Sequence, residues 1–151
     1  MTTYEFVIHT PEEMISFGEK LGHLARPNMV IALNGNLGAG KTTLTKGIGK
    51  ALGINAVINS PTFTIMKIYE GRLNLYHLDV YRITDVSGDF ELEEYFDMDG
   101  ICVVEWATQI QSLLPNDTIY IDLQINEDTT RTARISADER FITELKKELA
   151  I

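Results

Sequence analysis

Apolar residues along this chain recur at two spacings, and the alternation between them lays out its elements. Glu5–His9 has the short alternating run of a strand. Thr10-Pro11-Glu12-Glu13 then reads as a helix start, with Thr10 as N-cap, Pro11 at the first position and Glu13 completing a capping box. Met14, Phe17, Leu21 and Leu24 follow at helical spacing and predict one buried face. Met29–Leu33 is a continuous apolar run, as expected of a strand covered on both sides. Thr42–Leu52 is helical and stopped by Gly53. Ile65–Glu70 and Leu73–Asp79 flank Gly71 as a hairpin, and the polar stretch Asp85–Phe90 reads as a mobile connection into a short helix near Leu92–Phe96. Gly100–Glu105 is a second continuous apolar strand, and Ala107–Leu114 a short helix closed by Pro115. Thr118–Ile125 and Thr130–Ile135 pair around Asn126-Glu127-Asp128. Ser136-Ala137-Asp138-Glu139 has the form of another capping box, opening a terminal helix with Phe141, Leu145 and Leu149 on one stripe. There are no repeats, linkers or low-complexity tracts, so residues 1–151 read as one domain. Strands with interleaved helices and two hairpins predict an α/β fold: a mixed sheet, parallel at its centre and antiparallel at its edges, with helices on both faces.

Within that frame one segment carries chemistry. Gly35-Asn36-Leu37-Gly38-Ala39-Gly40-Lys41-Thr42 fits G-x-x-x-x-G-K-[ST] and lies between the strand Met29–Leu33 and the helix beginning at Thr42. A buried strand, a glycine-rich turn and a helix N-terminus let successive amides converge on one anion. The glycines at 35, 38 and 40 permit close approach of the backbone to oxygen atoms. In such a loop Lys41 reaches the outer phosphates and the Thr42 hydroxyl ligates Mg²⁺. An ordinary strand–helix turn has no use for Lys-Thr after its last glycine. The domain is therefore expected to be of the P-loop NTPase-like type and to bind a nucleoside triphosphate.

Charge narrows the possible partners. Thirteen basic against 22 acidic residues give a net charge of −9, and no basic cluster offsets it. Such a surface repels phosphate backbones, so direct, tight binding of nucleic acid is disfavoured. Cys102 is the single cysteine, which excludes an internal disulfide or a thiolate cluster, and its apolar setting predicts a buried structural thiol. No segment offers the ~18 apolar residues of a membrane span, and the first residues lack a leader pattern. The expectation is a cytoplasmic protein without membrane attachment.

Hydrolysis needs a held metal and a positioned water besides a phosphate loop. Glu105 ends an apolar strand at the sheet's carboxyl edge, where ligands bind in open α/β sheets. Asp79 ends the other candidate strand. With Lys41 these two acids form the candidate catalytic set, and Thr42 with Glu105 the candidate metal set. For Asp79 a salt bridge to Arg82 or a turn cap is an equal alternative, and spacing does not separate metal ligand, water-positioner and cap. Thr62, in Ser60-Pro61-Thr62-Phe63, lies where many phosphate-loop enzymes sense the γ-phosphate, although a Ser-Pro turn is common. Arg82 is a candidate cation supplied in cis, with an ion pair as the plainer reading. His77 reads as packed or hydrogen-bonded rather than as a metal ligand, because His9 and His23 show no ligand spacing. Trp106 and Tyr81 are core residues or partner anchors.

Together these segments resemble the TsaE family. GNLGAGKTT (Gly35–Thr43), SPTF (Ser60–Phe63), HLDVYR (His77–Arg82), LEEY (Leu92–Tyr95) and VEW (Val104–Trp106) stand in that family's order and spacing. The resemblance implies a small ATPase of bacterial tRNA threonylcarbamoyladenosine biosynthesis. Such a protein uses ATP with Mg²⁺, hydrolyses it weakly alone, and docks on the TsaB–TsaD complex to let it turn over. By position it implies nucleotide contacts at Gly35, Asn36, Leu37, Gly38, Ala39, Gly40, Lys41, Thr42 and Thr43, with the base packing near Thr10. It implies a switch-like or partner role for Thr62, Arg82 and Trp106, a functional acid at Asp79, and a metal or water site at Glu105. Asn36 stands where an acid is more usual, and Met14 where a Thr is. A small-molecule kinase and a non-hydrolysing nucleotide-gated module are the alternatives; the absence of arginine from Asp85–Phe90 speaks against a kinase lid.

Overall fold

The computed structural model describes residues 1–36, 38–59, 66–80, 92–105 and 111–149. Seven strands form one sheet: β1 (Thr2–Ile8), β2 (Met29–Gly35), β3 (Met66–Tyr69), β4 (Leu75–Asp79), β5 (Ile101–Glu105), β6 (Ile119–Ile125) and β7 (Arg131–Ala137), in the order β1-β7-β6-β2-β5-β4-β3. The pairs β6–β2, β2–β5 and β5–β4 are parallel, whereas β1–β7, β7–β6 and β3–β4 are antiparallel. The parallel centre and antiparallel edges match the sequence reading. Continuous apolar runs occupy the two middle strands because these are covered on both faces: all of β5 is buried.

The three α-helices are α1 (Pro11–His23), α2 (Lys41–Ala51) and α3 (Glu139–Leu149). All pack on one face, over Ile31, Leu33, Ile101, Val103, Ile121 and Ile135. The opposite face buries Val30, Ala32, Tyr76, Leu78, Cys102 and Val104 beneath a 3-10 helix at Leu92–Asp97, with Leu113 and Leu114 packed alongside. Both faces therefore carry helical cover, but unequally. The predicted helix Ala107–Leu114 falls partly outside the described residues, and its described end, Gln111–Leu113, is 3-10. The segment Asp85–Phe90 lies outside the described residues altogether.

The helix starts differ from the expected capping boxes in a common way. The Thr10 hydroxyl accepts from the Glu13 amide at 3.0 Å, as expected, but the Glu13 carboxylate accepts from the amide of His9 rather than of Thr10, at 2.8 Å. This bond holds the Glu13 acid below its ordinary range. For α3 the cap is Asp138, whose carboxylate accepts from the Phe141 amide at 2.8 Å. Ser136 instead stays in β7, its hydroxyl bonded to that of Thr3 at 2.9 Å. The strand's ladder to β1 outcompetes the cap that the sequence spacing suggests.

Helices α1 and α2 touch backbone to backbone through glycines. A Cβ on Gly18 would stand 2.2 Å from the Leu44 carbonyl oxygen, and one on Gly47 would stand 2.2 Å from that of Ile15. Neither contact can relax by turning a side chain. Gly18→Ala is expected to destabilise the fold by about 1–3 kcal/mol, lowering the melting temperature by roughly 2–4 °C per kcal/mol. Calorimetry of the variant checks this; an unchanged melting temperature would contradict the close crossing.

Cys102 is buried, as the sequence predicted, and its Sγ donates to the Tyr95 carbonyl at 3.1 Å. Burial pushes its thiol up to about 12. An alkylating reagent at pH 8 should therefore modify Cys102 only after denaturant unfolds the chain, and labelling at the rate of a free thiol under native conditions would contradict this packing.

Candidate functional site

The phosphate loop follows directly from β2 and ends at the first residue of α2. Between them Gly38 has φ 84° and Gly40 has φ 110°, conformations that side-chain-bearing residues rarely adopt. The Ala39 amide closes the turn on the Asn36 carbonyl at 3.0 Å. Gly40 occupies the N-cap of α2, no side chain caps the helix, and its first turn holds no acid. The positive end of the helix is thus presented to the loop's concave side with no carboxylate of its own chain in that turn.

Lys41 is a buried cation at the head of this helix, 7% exposed. Its Nζ donates to the Gly35 carbonyl at 2.7 Å and lies 4.0 Å from Glu105 Oε1. Burial lowers the ammonium below its ordinary range, while the charges of Glu105 and Asp79 push it back up. Glu105 itself is only 3% exposed, which rules out a solvated strand-end acid. Its Oε2 is hydrogen-bonded to Nε2 of the fully buried His77. His77 is thus a hydrogen-bonded histidine, as the sequence suggested, but its partnership with Glu105 was not read there.

Register explains why these groups meet. Asp79 aligns with Glu105, and Glu105 with Leu33, on three neighbouring parallel strands. Alternation puts Leu75, His77 and Asp79 on the α2 side of β4, and Ile101, Val103 and Glu105 on the same side of β5. The acids therefore lie at the carboxyl ends of the parallel strands, beside the start of α2.

A cavity of about 140 Å³ adjoins the loop, lined by Thr10, Pro11, Met14, Gly40, Thr43 and Arg131, among others. The first turn of α1 thus borders the phosphate loop, where the family resemblance implies a base. Met14 is buried against the loop, its Cε 2.7 Å from where a Gly40 Cβ would stand. The β6–β7 hairpin brings Thr129 and Arg131 into the same wall. The Arg131 guanidinium donates to the Gly38 carbonyl at 3.4 Å. No local pattern marks them, because their position depends on strand order alone. Leu37, Thr62, Tyr81, Arg82 and Trp106 lie outside the described residues.

No group of three or more His, Cys, Asp or Glu among the described residues forms a cage for a metal ion. Mg²⁺ commonly binds through one or two carboxylates together with substrate phosphates. Residues that would share such an ion with a phosphate are Thr42, the second residue of α2, and the acids Glu105 and Asp79 that end β5 and β4.

A family model described as threonylcarbamoyl adenosine biosynthesis protein TsaE matches residues 8–134, covering the loop, both acids and Arg131. The chain belongs to the TsaE family. Among proteins of that name, the one from Bacillus subtilis (strain 168) is 46% identical over 134 residues, 88% of this chain and 79% of that protein. The TsaE of Treponema pallidum (strain Nichols) is 37% identical over 132 residues, 86% of this chain and 98% of that protein. The crystal structure of YdiB from Bacillus subtilis superposes with a TM-score of 0.84 at 37% identity, covering 99% of this chain and 95% of that one. Among the described residues of this TsaE-family chain, no helix is long and apolar enough to cross a membrane.

Gly40→Ala adds a Cβ where φ is 110° and Met14 Cε stands 2.7 Å away. Affinity for a nucleoside triphosphate is expected to fall about tenfold or more, a backbone strain of order 1–3 kcal/mol. Calorimetric titration checks this; unchanged affinity would contradict the loop geometry.

Proposed function

We propose that the chain binds ATP with Mg²⁺, hydrolyses it weakly, and acts in tRNA threonylcarbamoyladenosine biosynthesis by supporting turnover of the TsaB–TsaD complex. The observation that carries this reading is the convergence of Lys41 and Glu105, 4.0 Å apart, at the head of an uncapped helix behind a glycine-rich loop. Lys41 and the amides of residues 38–43 hold the triphosphate, and magnesium, when bound, neutralises charge on the outer phosphates. Glu105 or Asp79 orients the attacking water, and the cavity beside Thr10 and Met14 receives the base. Preference for ATP over GTP is taken from the family. The net charge of −9 supports a role exercised through protein partners rather than through a direct grip on tRNA.

Two variants test the reading with purified TsaB and TsaD present. Lys41→Ala should abolish triphosphate binding. Glu105→Ala should keep nucleotide binding yet lose about 10²-fold or more of hydrolysis, if that carboxylate positions the water, and tRNA modification should fail with it. Unaffected modification in Glu105→Ala would instead favour a non-hydrolysing, nucleotide-gated module. ATP consumption that rises with a metabolite and yields a phosphorylated product would mean a kinase.

A further inference from the structure

The His77–Glu105 contact has features that packing alone does not explain. His77 is fully buried on β4, aligned with Val103 on one side and Lys67 on the other, and it reaches Glu105 diagonally across the parallel pair β4–β5. Its Nε2 holds Glu105 Oε2, whereas its Nδ1 is the one buried side-chain nitrogen or oxygen among the described residues with no hydrogen-bond partner. For a neutral imidazole facing an ionised Glu105, whose oxygens only accept, the ring proton sits on Nε2. The orphan at Nδ1 is then a bare lone pair. The opposite arrangement, a protonated acid donating to Nε2, would strand an N–H there, the rarer and costlier kind of orphan. Leaving even a lone pair unmet in a buried setting is a cost, incurred to keep the ring turned toward Glu105.

Glutamate has one more rotatable bond than aspartate and loses more rotamer freedom when held in place. An acid that must present one oxygen to a reaction therefore gains from a fixed partner on the other. The division of contacts fits this: Oε2 is tied to His77, and Oε1 faces Lys41 at 4.0 Å. We propose that His77 is a positioning residue for Glu105, fixing the carboxylate through Oε2 so that Oε1 faces the phosphate loop. This role rests on the ATPase reading above. His77 is fully buried and its hydrogen bond is to Glu105, so its loss should lower kcat and spare nucleotide affinity.

The test uses the full chain with TsaB and TsaD. His77→Leu removes the donor at similar bulk, whereas His77→Gln keeps an N–H of comparable reach. His77→Leu should lower kcat about 10- to 100-fold with KM for magnesium-ATP changed by less than about twofold, and His77→Gln should recover most of the loss. In a Glu105→Ala background, His77→Leu should cost nothing further, since the two act as one unit. Independently of activity, NMR of the nucleotide-free protein should show a downfield Nε2–H proton of His77 that disappears in Glu105→Ala. A His77→Leu variant with wild-type kcat would overturn the role, as would parallel changes in kcat and KM, a His77→Gln variant no better than His77→Leu, or a further loss in the Glu105→Ala background. Should His77→Leu not fold, His77→Gln and the NMR signal decide: a crippled His77→Gln or an absent downfield proton overturns the role. A wild-type protein that never hydrolyses ATP defeats the ATPase reading, and this role with it. An active wild type with an indifferent His77→Leu defeats this role alone.

Discussion

A buried lysine at the head of an uncapped helix is the constraint around which this fold is arranged. Lys41 meets two unfavourable conditions at once: little water reaches it, and it sits at the positive end of α2. The Gly35 carbonyl and the charges of Glu105 and Asp79 offset the first. Nothing in the first turn of the helix offsets the second. The head of α2 and its lysine thus face the concave loop with no acid in the helix's first turn, and the proposed polyphosphate is the ligand that such an arrangement suits.

Holding that arrangement requires precision on both sides of the loop. On the sheet side, three parallel strands in register bring Leu33, Glu105 and Asp79 to one level. On the helix side, Gly18 and Gly47 let α1 lie directly on the backbone of α2, which seats Met14 and Thr10 against the loop. Any side chain at either glycine would push α1 outward and loosen the wall of the neighbouring cavity. The same packing that stabilises the domain therefore shapes the site, consistent with the breadth of the TsaE-family match along the chain.

Much of this is legible in the sequence. Local chemistry carries far in sequence: the phosphate loop, the apolar central strands, the hairpins and the acid ending β5 all declare themselves within a few residues. What escaped was set by contacts between distant segments. Arg131 joins Gly38 only because β7 lies two strands from β2. His77 finds Glu105 only through the pairing of β4 with β5. Gly18 and Gly47 are indistinguishable from poor helix formers until the two helices are seen to cross. Ser136 departs from its expected cap because a strand ladder already claims the residue, which the spacing of a capping box does not reveal.

Amide hydrogen exchange with and without magnesium-ATP probes the central constraint most directly, because it reports on the loop's own N–H groups. Slowed exchange concentrated at residues 38–43, with a smaller effect at the first turn of α1, is the expected result. Exchange at those amides left unchanged under saturating nucleotide, or protection appearing only on the opposite face of the sheet, would contradict a polyphosphate seated on the head of α2.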